Sequence, residues 1–325
     1  MKNFFVAASA VMLLISCQKV TIDKQASPKV EQQVLTAEAV SEFAVVTPKK
    51  FLFDNKKAET AGNADWVIDQ DVSPQRIPTP LQSTITASTP ETYWKGAISS
   101  WGIALAKKGH TVETLPSTGT ITYGSTTNVQ DLSKYDVYVV DEANIRYTTA
   151  EKTAIINFVK NGGGLFIIVD HTVSDRNNDG WDSPAIWNDL FNSNAVQVNP
   201  FGFKFDLTNF SQTTTNVSTT VHPTINGTEG NVTSLIFHNG ASMTLTTGAA
   251  SRGLIWKSGV TKNLTNLMAA YSTYGTGRVF AISDSSPADD GTGAAGNNLF
   301  YGWTDAGGNH SRLHMNASLW LAKLQ

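Results

Sequence analysis

The sequence predicts an α/β protein: a doubly wound, mostly parallel sheet with a small β-rich excursion inserted late in the chain. Three observations carry this. Apolar runs such as Val137–Val140 and Leu165–Val169 have no polar alternation, the pattern of strands covered on both faces. These runs alternate with segments of helical periodicity and stop on acidic residues. The stretch from Asn161 to Leu190, NGGGLFIIVDHTVSDRNNDGWDSPAIWNDL, reads as one device: a glycine-terminated helix, a buried strand, then a carboxylate-dense loop. In such sheets the chemistry collects just beyond the carboxyl ends of the strands, where Asp170 and His171 stand.

The first strand is Lys50–Asp54, followed by a loop to Asp71 that carries Glu59, Asn63, Asp65, Asp69 and Asp71 around Trp66-Val67-Ile68. Thr89 and Pro90 are expected to open a helix as N-cap and first helical residue, and Gly109 closes it. Trp94, Ile98, Trp101 and Leu105 share its apolar stripe, so the tryptophans read as core. His110–Leu115 is the second strand, and Val137–Val140, ending on Asp141-Glu142, the third. Thr148 and Glu151 form a capping box for a helix that Gly162 ends. The glycine triplet precedes a strand, the reverse of a phosphate cradle, so helix termination is its reading.

Residues 201–243, rich in Thr and Asn, are expected to form the antiparallel excursion. Leu267–Tyr271, a hairpin-like turn at Tyr274–Arg278 and a strand ending on Asp284 follow; an amphipathic helix over Arg312–Leu324 closes the domain.

The N-terminus bears on location. Lys2 precedes a short apolar core, Phe4–Ile15, and Leu14-Ile15-Ser16-Cys17 resembles a bacterial lipobox. The expectation is a signal peptide over 1–16, lipidation of Cys17, a flexible tether over 17–47 and one domain over 48–325. The protein would then be lipid-anchored in the bacterial cell envelope, facing the periplasm or the cell surface. Cys17 is the only cysteine, so no intrachain disulfide forms and no thiol is left for catalysis. A formal net charge of -3, with no basic patch interleaved with aromatics, argues against a nucleic-acid partner.

Three motifs carry a family resemblance. Asn161-Gly162-Gly163-Gly164-Leu165 leading to Asp170-His171, Val221-His222-Pro223-Thr224, and Tyr274-Gly275-Thr276-Gly277-Arg278-Val279-Phe280 resemble the class I glutamine amidotransferase-like superfamily, most of all its ThuA-like (trehalose utilisation) branch. The resemblance implies a flavodoxin-like, amidotransferase-like fold and a carbohydrate-related substrate. Two departures matter. No cysteine follows Cys17, which removes glutaminase chemistry, and Ile282-Ser283-Asp284-Ser285 stands where that branch has Leu-Gly-His.

Two sites are expected. Asp175, Asn177, Asp179 and Asp182 place oxygens at alternate positions around Gly180, resembling the opening of EF-hand-like calcium loops, although Ile186 stands where the closing glutamate belongs. Asp182 or Asp189 would have to substitute for it. The other reading is an Asx-rich turn that caps the helix starting near Pro184. The second site is the set of strand-end acids: Asp54, Asp141 with Glu142, Asp170 with His171, and Asp284, joined by Glu59. Converging on one crevice, they would suit metal-assisted hydrolysis with calcium or another divalent cation; the other reading is that they cap the following turns. His222 and His238 are expected to line the same crevice. Serine nucleophiles (Ser283, Ser285, Ser286) are a lesser option, because no Gly-x-Ser-x-Gly elbow exists. The function read from this is a lipoprotein hydrolase, the alternative a non-catalytic calcium-stabilised binding or scaffold module of a cell-surface complex.

Overall fold

Along the chain the strands are β1 (Lys50–Asp54), β2 (Thr111–Leu115), β3 (Val137–Asp141), β4 (Gly164–Ile168), β5 (Phe203–Phe205), β6 (Phe210–Thr214), β7 (Asn226–Gly227), β8 (Gly230–Asn231), β9 (Leu235–Gly240), β10 (Met243–Leu245), β11 (Arg252–Trp256), β12 (Leu267–Tyr274) and β13 (Gly277–Ile282). The helices are α1 (Ser99–Lys107), α2 (Thr149–Lys160), α3 (Ser183–Asn192) and α4 (His310–Leu321). The computed structural model describes residues 47–58, 65–69, 81–293 and 300–325. Glu59, Asn63, Asp71, Cys17, the expected signal peptide and nearly all of the expected tether lie outside the described residues. No helix among the described residues is long and apolar enough to cross a membrane.

Nine strands form the main sheet, in the order β2-β1-β3-β4-β13-β12-β10-β5, with β11 pairing on β12. The first five are mutually parallel. Their order is the doubly wound 2-1-3-4-5 pattern, whose topological switch point lies between β1 and β3. β12, β10 and β5 extend the sheet by antiparallel pairing. The excursion is therefore divided. β6 with β9 and β7 with β8 make small separate sheets, while β5 and β10 join the main one.

Side-chain alternation sorts each strand onto two faces. Phe51, Phe53, Val137, Val139, Phe166, Ile168, Phe280 and Ile282 pack with Trp101 of α1 and Leu313 and Trp320 of α4. Leu52, Tyr138, Val140, Leu165, Ile167, Val279 and Ala281 pack with Ile155 and Ile156 of α2 and Trp187 and Phe191 of α3. Trp101 is wholly buried and its indole N–H donates to Ser318 Oγ at 2.9 Å, which bears out its assignment to the core.

Most local signals hold. Thr148 and Glu151 make the reciprocal capping box of α2. Gly162, at φ +115°, terminates that helix in a backbone region that side chains rarely adopt. The helix expected to start at Pro90 does not. A 3-10 turn spans Glu91–Tyr93, and α1 begins only at Ser99. Between them, Ala97 N–H donates to Asp65 O and Ile98 N–H to Val67 O, so this segment pairs with residues 65–69 instead of coiling. Gly96 allows the approach, since a Cβ there would fall 1.8 Å from Val67 O. Thr89 does not cap this turn; its Oγ1 accepts from the Thr86 N–H.

A carboxylate cluster at the carboxyl end of the sheet

Four neighbouring parallel strands, β1, β3, β4 and β13, end on or just before an acid. Parity decides which acids meet. Asp141 continues the Val137/Val139 face, Asp170 the Phe166/Ile168 face and Asp284 the Phe280/Ile282 face, and all three faces look toward α1 and α4. Asp54 has the parity of Leu52 and belongs to the opposite layer.

Asp54 is accordingly a turn cap, which corrects its assignment to the cluster. Its Oδ1 accepts the backbone N–H groups of Lys56, Lys57 and Ala58, and its Oδ2 accepts the Tyr138 hydroxyl. Lys57, itself buried, pairs with Glu151 at 2.8 Å.

Glu142 follows β3 with φ +47°, a left-handed conformation unusual for a residue with a side chain. That conformation returns its carboxyl to the face of Asp141 in spite of opposite parity. Its Oε2 accepts the Trp66 indole N–H at 2.7 Å and the Ser285 hydroxyl at 3.2 Å. Arg176 Nε lies 3.7 Å from Oε1. The buried Asp170 carboxyl is close enough to Glu142 for the charge of each to oppose ionisation of the other. Burial, then the charges of Glu142 and Asp284, raise the Asp170 carboxyl well above the ordinary range and favour its protonated form.

The surrounding acids are shifted the same way. Asp141 is 2% exposed and neither of its oxygens has a hydrogen-bond partner; burial first, then Glu142, Asp289 and Asp284, hold it protonated. Burial pushes Asp284 up to about 8, against the lowering bonds it accepts from Ser286 N–H and His238 N–H. Asp289 follows a 3-10 turn at Ser286–Ala288; burial pushes it up to about 6, with the charges of Asp290 and Asp65 adding.

His171 sits at the edge of this group. Its Nδ1 meets Thr172 O at 2.5 Å, so that nitrogen carries a proton, and its Nε2 lies 3.4 Å from Asp170 Oδ2. His238 reaches the cluster through its backbone, its ring stacked on Phe300 at 4.1 Å. His222 does not. It stacks on Tyr271 at 3.8 Å, away from the strand ends, which corrects the expectation that both histidines line one crevice.

The proposed metal loop is held by its own backbone. Asp175 accepts the N–H groups of Asp179 and Gly180, Asn177 Oδ1 accepts that of Asp179, and Asp179 that of Trp181. Asp182 is the N-cap of α3, accepting from Ala185 N–H at 3.0 Å. Asp189, the possible substitute ligand, pairs with Lys152 at 2.7 Å. This is the Asx-turn arrangement. No three His, Cys, Asp or Glu side chains among the described residues are placed to hold a metal ion.

Asp289 and Trp66 are not among the candidate site residues of the sequence, and Ser285 is there only as a lesser nucleophile option. The signal for Asp289 was the Asp289-Asp290 pair just after Pro287; for Trp66 it was an indole enclosed by acids in a loop.

The order of the parallel strands defines a doubly wound α/β protein of flavodoxin-like order, the class that the sequence motifs imply. No family model matches the chain, and no curated protein matches it. Solved structures do. The mmIFT52 N-terminal domain is similar over 84% of this chain and 97% of its own, at 11% identity and a TM-score of 0.51. The cytoplasmic protein STM3548 from Salmonella typhimurium shares 14% identity over 84% of this chain and 98% of its own, with a TM-score of 0.48. A thua-like protein from Parabacteroides merdae ATCC 43184 shares 13% identity over 86% of this chain and 91% of its own, with a TM-score of 0.43. At these identities the likeness is one of fold.

Proposed function

We propose that the chain is a lipid-anchored, extracytoplasmic hydrolase that works by proton transfer through the Glu142–Asp170 carboxyl pair. The observation that carries this is the burial of those two carboxyls beside each other beyond the carboxyl ends of β3 and β4, with Trp66 and Ser285 holding Glu142. Two adjacent buried carboxyls, one of them raised by burial and by the charge of the other, form an acid and base pair. Glu142, held by Trp66 and Ser285, takes a proton from water as the water oxygen bonds to the electrophilic carbon of the substrate. Asp170 gives its proton to the departing oxygen as the bond to it breaks. Proton transfer from Glu142 to the neighbouring Asp170 then restores the starting state. His171 Nε2, beside Asp170, supplies a relay to the edge of the cluster. Burial raises Asp141 and Asp284 as well, which lowers the charge repulsion around the pair.

The substrate class, a carbohydrate derivative, is supported by the motif resemblance, and the lipid anchor by the Leu14–Cys17 pattern. A divalent cation is not needed for this proton transfer. The competing reading, a non-catalytic scaffold module, draws on the absence of any thiol after Cys17 and on the self-satisfied loop at 175–182.

The test is turnover of a panel of glycosides and sugar esters by the wild type, Asp170→Asn and Glu142→Gln. Loss of activity by about a hundredfold or more in either variant, with folding retained, is expected of an acid–base pair. A wild type inert across the panel, with and without added calcium or magnesium, would favour the scaffold module.

A further inference from the structure

The sheet divides at β12, where β10 and β11 both pair along the side away from β13. A cavity of about 530 Å³ opens there, a size suited to a small-molecule ligand. Its walls come from β11, from the turn after β10 and from the loop before β12, and among the described residues they include no Asp or Glu. The sequence shows the same bias. Between Glu229 and Asp284 there is no acid, while Arg252, Lys257, Lys262 and Arg278 fall within that span.

Three donors on these walls lack an acidic partner among the described residues. Arg252 Nη1 donates only to the carbonyls of Ala249 and Ser251, and Lys262 Nζ only to that of Val217. His222 accepts the Thr224 N–H on Nδ1 at 3.3 Å, which places its ring proton on Nε2. The same wall carries the His222–Tyr271 stack, and hydroxyls of Ser218, Thr220 and Thr246 line the rest. Cations on the walls match a carboxylate, hydroxyls match other hydroxyls, and an aromatic wall matches the apolar face of a pyranose ring.

We propose that this cleft binds a carboxylate-bearing sugar of the hexuronic acid class, its carboxylate on Arg252 and Lys262 and its ring against His222 and Tyr271. The site is separate from the carboxylate cluster and stands without the hydrolase reading. Burial, with the charge of Arg278 adding, pushes the His222 imidazole down to about 4, so it stays a neutral donor at physiological pH.

The test is a titration of the purified full-length chain with D-glucuronate, followed by amide shifts in two-dimensional NMR. Saturable shifts at Gly248 and Gly253, none with glucose at the same concentration, are expected. Arg252→Ala and Lys262→Ala should each weaken binding by roughly tenfold or more, the worth of a charge-assisted hydrogen bond. His222→Phe, which keeps the ring but removes the donor, should weaken it less. Asp170→Asn should bind as the wild type does, which separates failure here from failure of the hydrolase reading. No saturable shift at the cleft, or shifts indifferent to Arg252→Ala and Lys262→Ala, would overturn the proposal. Inorganic phosphate outcompeting glucuronate would overturn the assignment to a carboxylate sugar.

Discussion

The Trp66 indole N–H donates to Glu142 Oε2 at 2.7 Å, joining positions 76 residues apart in the chain. The bond pins the segment 65–69 over the end of β3 and fixes the carboxyl that Asp170 leans on. Trp66 is also core, at 1% exposure, so truncation would confound packing with hydrogen bonding. Trp66→Phe keeps most of the apolar contact and removes the donor. It should lower stability by about 1–3 kcal/mol, the cost of leaving a buried acceptor short of a partner. In a double-mutant cycle with Glu142→Gln, measured by chemical denaturation, the two losses should be non-additive. Strict additivity would mean that the bond does not hold Glu142 in place.

The cluster makes stability depend on pH, and the sign follows from which state holds the protons. Asp141 and Asp170 are raised well above the ordinary carboxylate range and Asp284 to about 8, so the folded chain keeps protons that the unfolded chain has lost by pH 5. Their stabilising effect is complete below about pH 4 and is lost as pH rises through the folded values. Buried histidines act oppositely. His314, lowered to about 3 by burial, and His222, to about 4, cost stability only below the unfolded value near 6.5. His110, His238 and His310 are lowered too, and the histidine effect fades only about a unit above that value, so the carboxyl effect dominates from about pH 7.5 upward. Stability should fall there by about 1.4 kcal/mol per pH unit for each retained proton. Asp284→Asn should flatten the slope by one proton's worth. Denaturant midpoints at pH 7.5, 8 and 8.5 check this, and a rising profile would contradict the protonated cluster.

Asp54 should behave as structure rather than machinery. Asp54→Ala strands three backbone N–H groups and the Tyr138 hydroxyl, which should cost on the order of 3 kcal/mol. Asp54→Asn keeps an acceptor for the turn and should cost far less, with any hydrolytic turnover unchanged. Thermal melts of both variants, beside an activity assay of Asp54→Asn, decide the point. Lost activity in a well-folded Asp54→Asn would return this residue to the site.

The same residue shows how much was legible beforehand. That Lys50–Asp54, Val137–Asp141, Leu165–Val169 and the strand to Asp284 are buried parallel strands follows from their unbroken apolar runs, and the fold class follows from their alternation with helices. That each ends on an acid was also plain. Which acids share a face depends on parity counted against the core, which their positions at the strand ends do not show. Parity would have removed Asp54, but it would also have removed Glu142, whose left-handed φ of +47° reverses its direction. A backbone reversal at one residue leaves no periodic trace. The loop at 175–182 posed a different difficulty. Asx turns and calcium loops use the same residues at the same spacing, and only the partners of the oxygens tell them apart.

Val173 offers a test of whether the elbow beside His171 is strained. It is a β-branched residue at φ +66°, and at 76% exposure no packing repays the conformation. What holds it is Asp182. Its Oδ2 accepts Val173 N–H at 3.0 Å and Thr172 Oγ1 at 2.9 Å, while its Oδ1 caps α3. The Thr172 carbonyl in turn carries the His171 imidazole. Val173→Gly removes the steric penalty without touching those bonds and should stabilise the fold by about 1 kcal/mol. Asp182→Ala should do the reverse, costing about 1–2 kcal/mol through the lost cap and freeing Thr172. Because His171 depends on Thr172, Asp182→Ala should also reduce turnover, and Val173→Gly should not. Melting temperatures and rates of the two variants separate these effects. A destabilised Val173→Gly would show that the valine side chain has a contact or a partner that its exposure conceals.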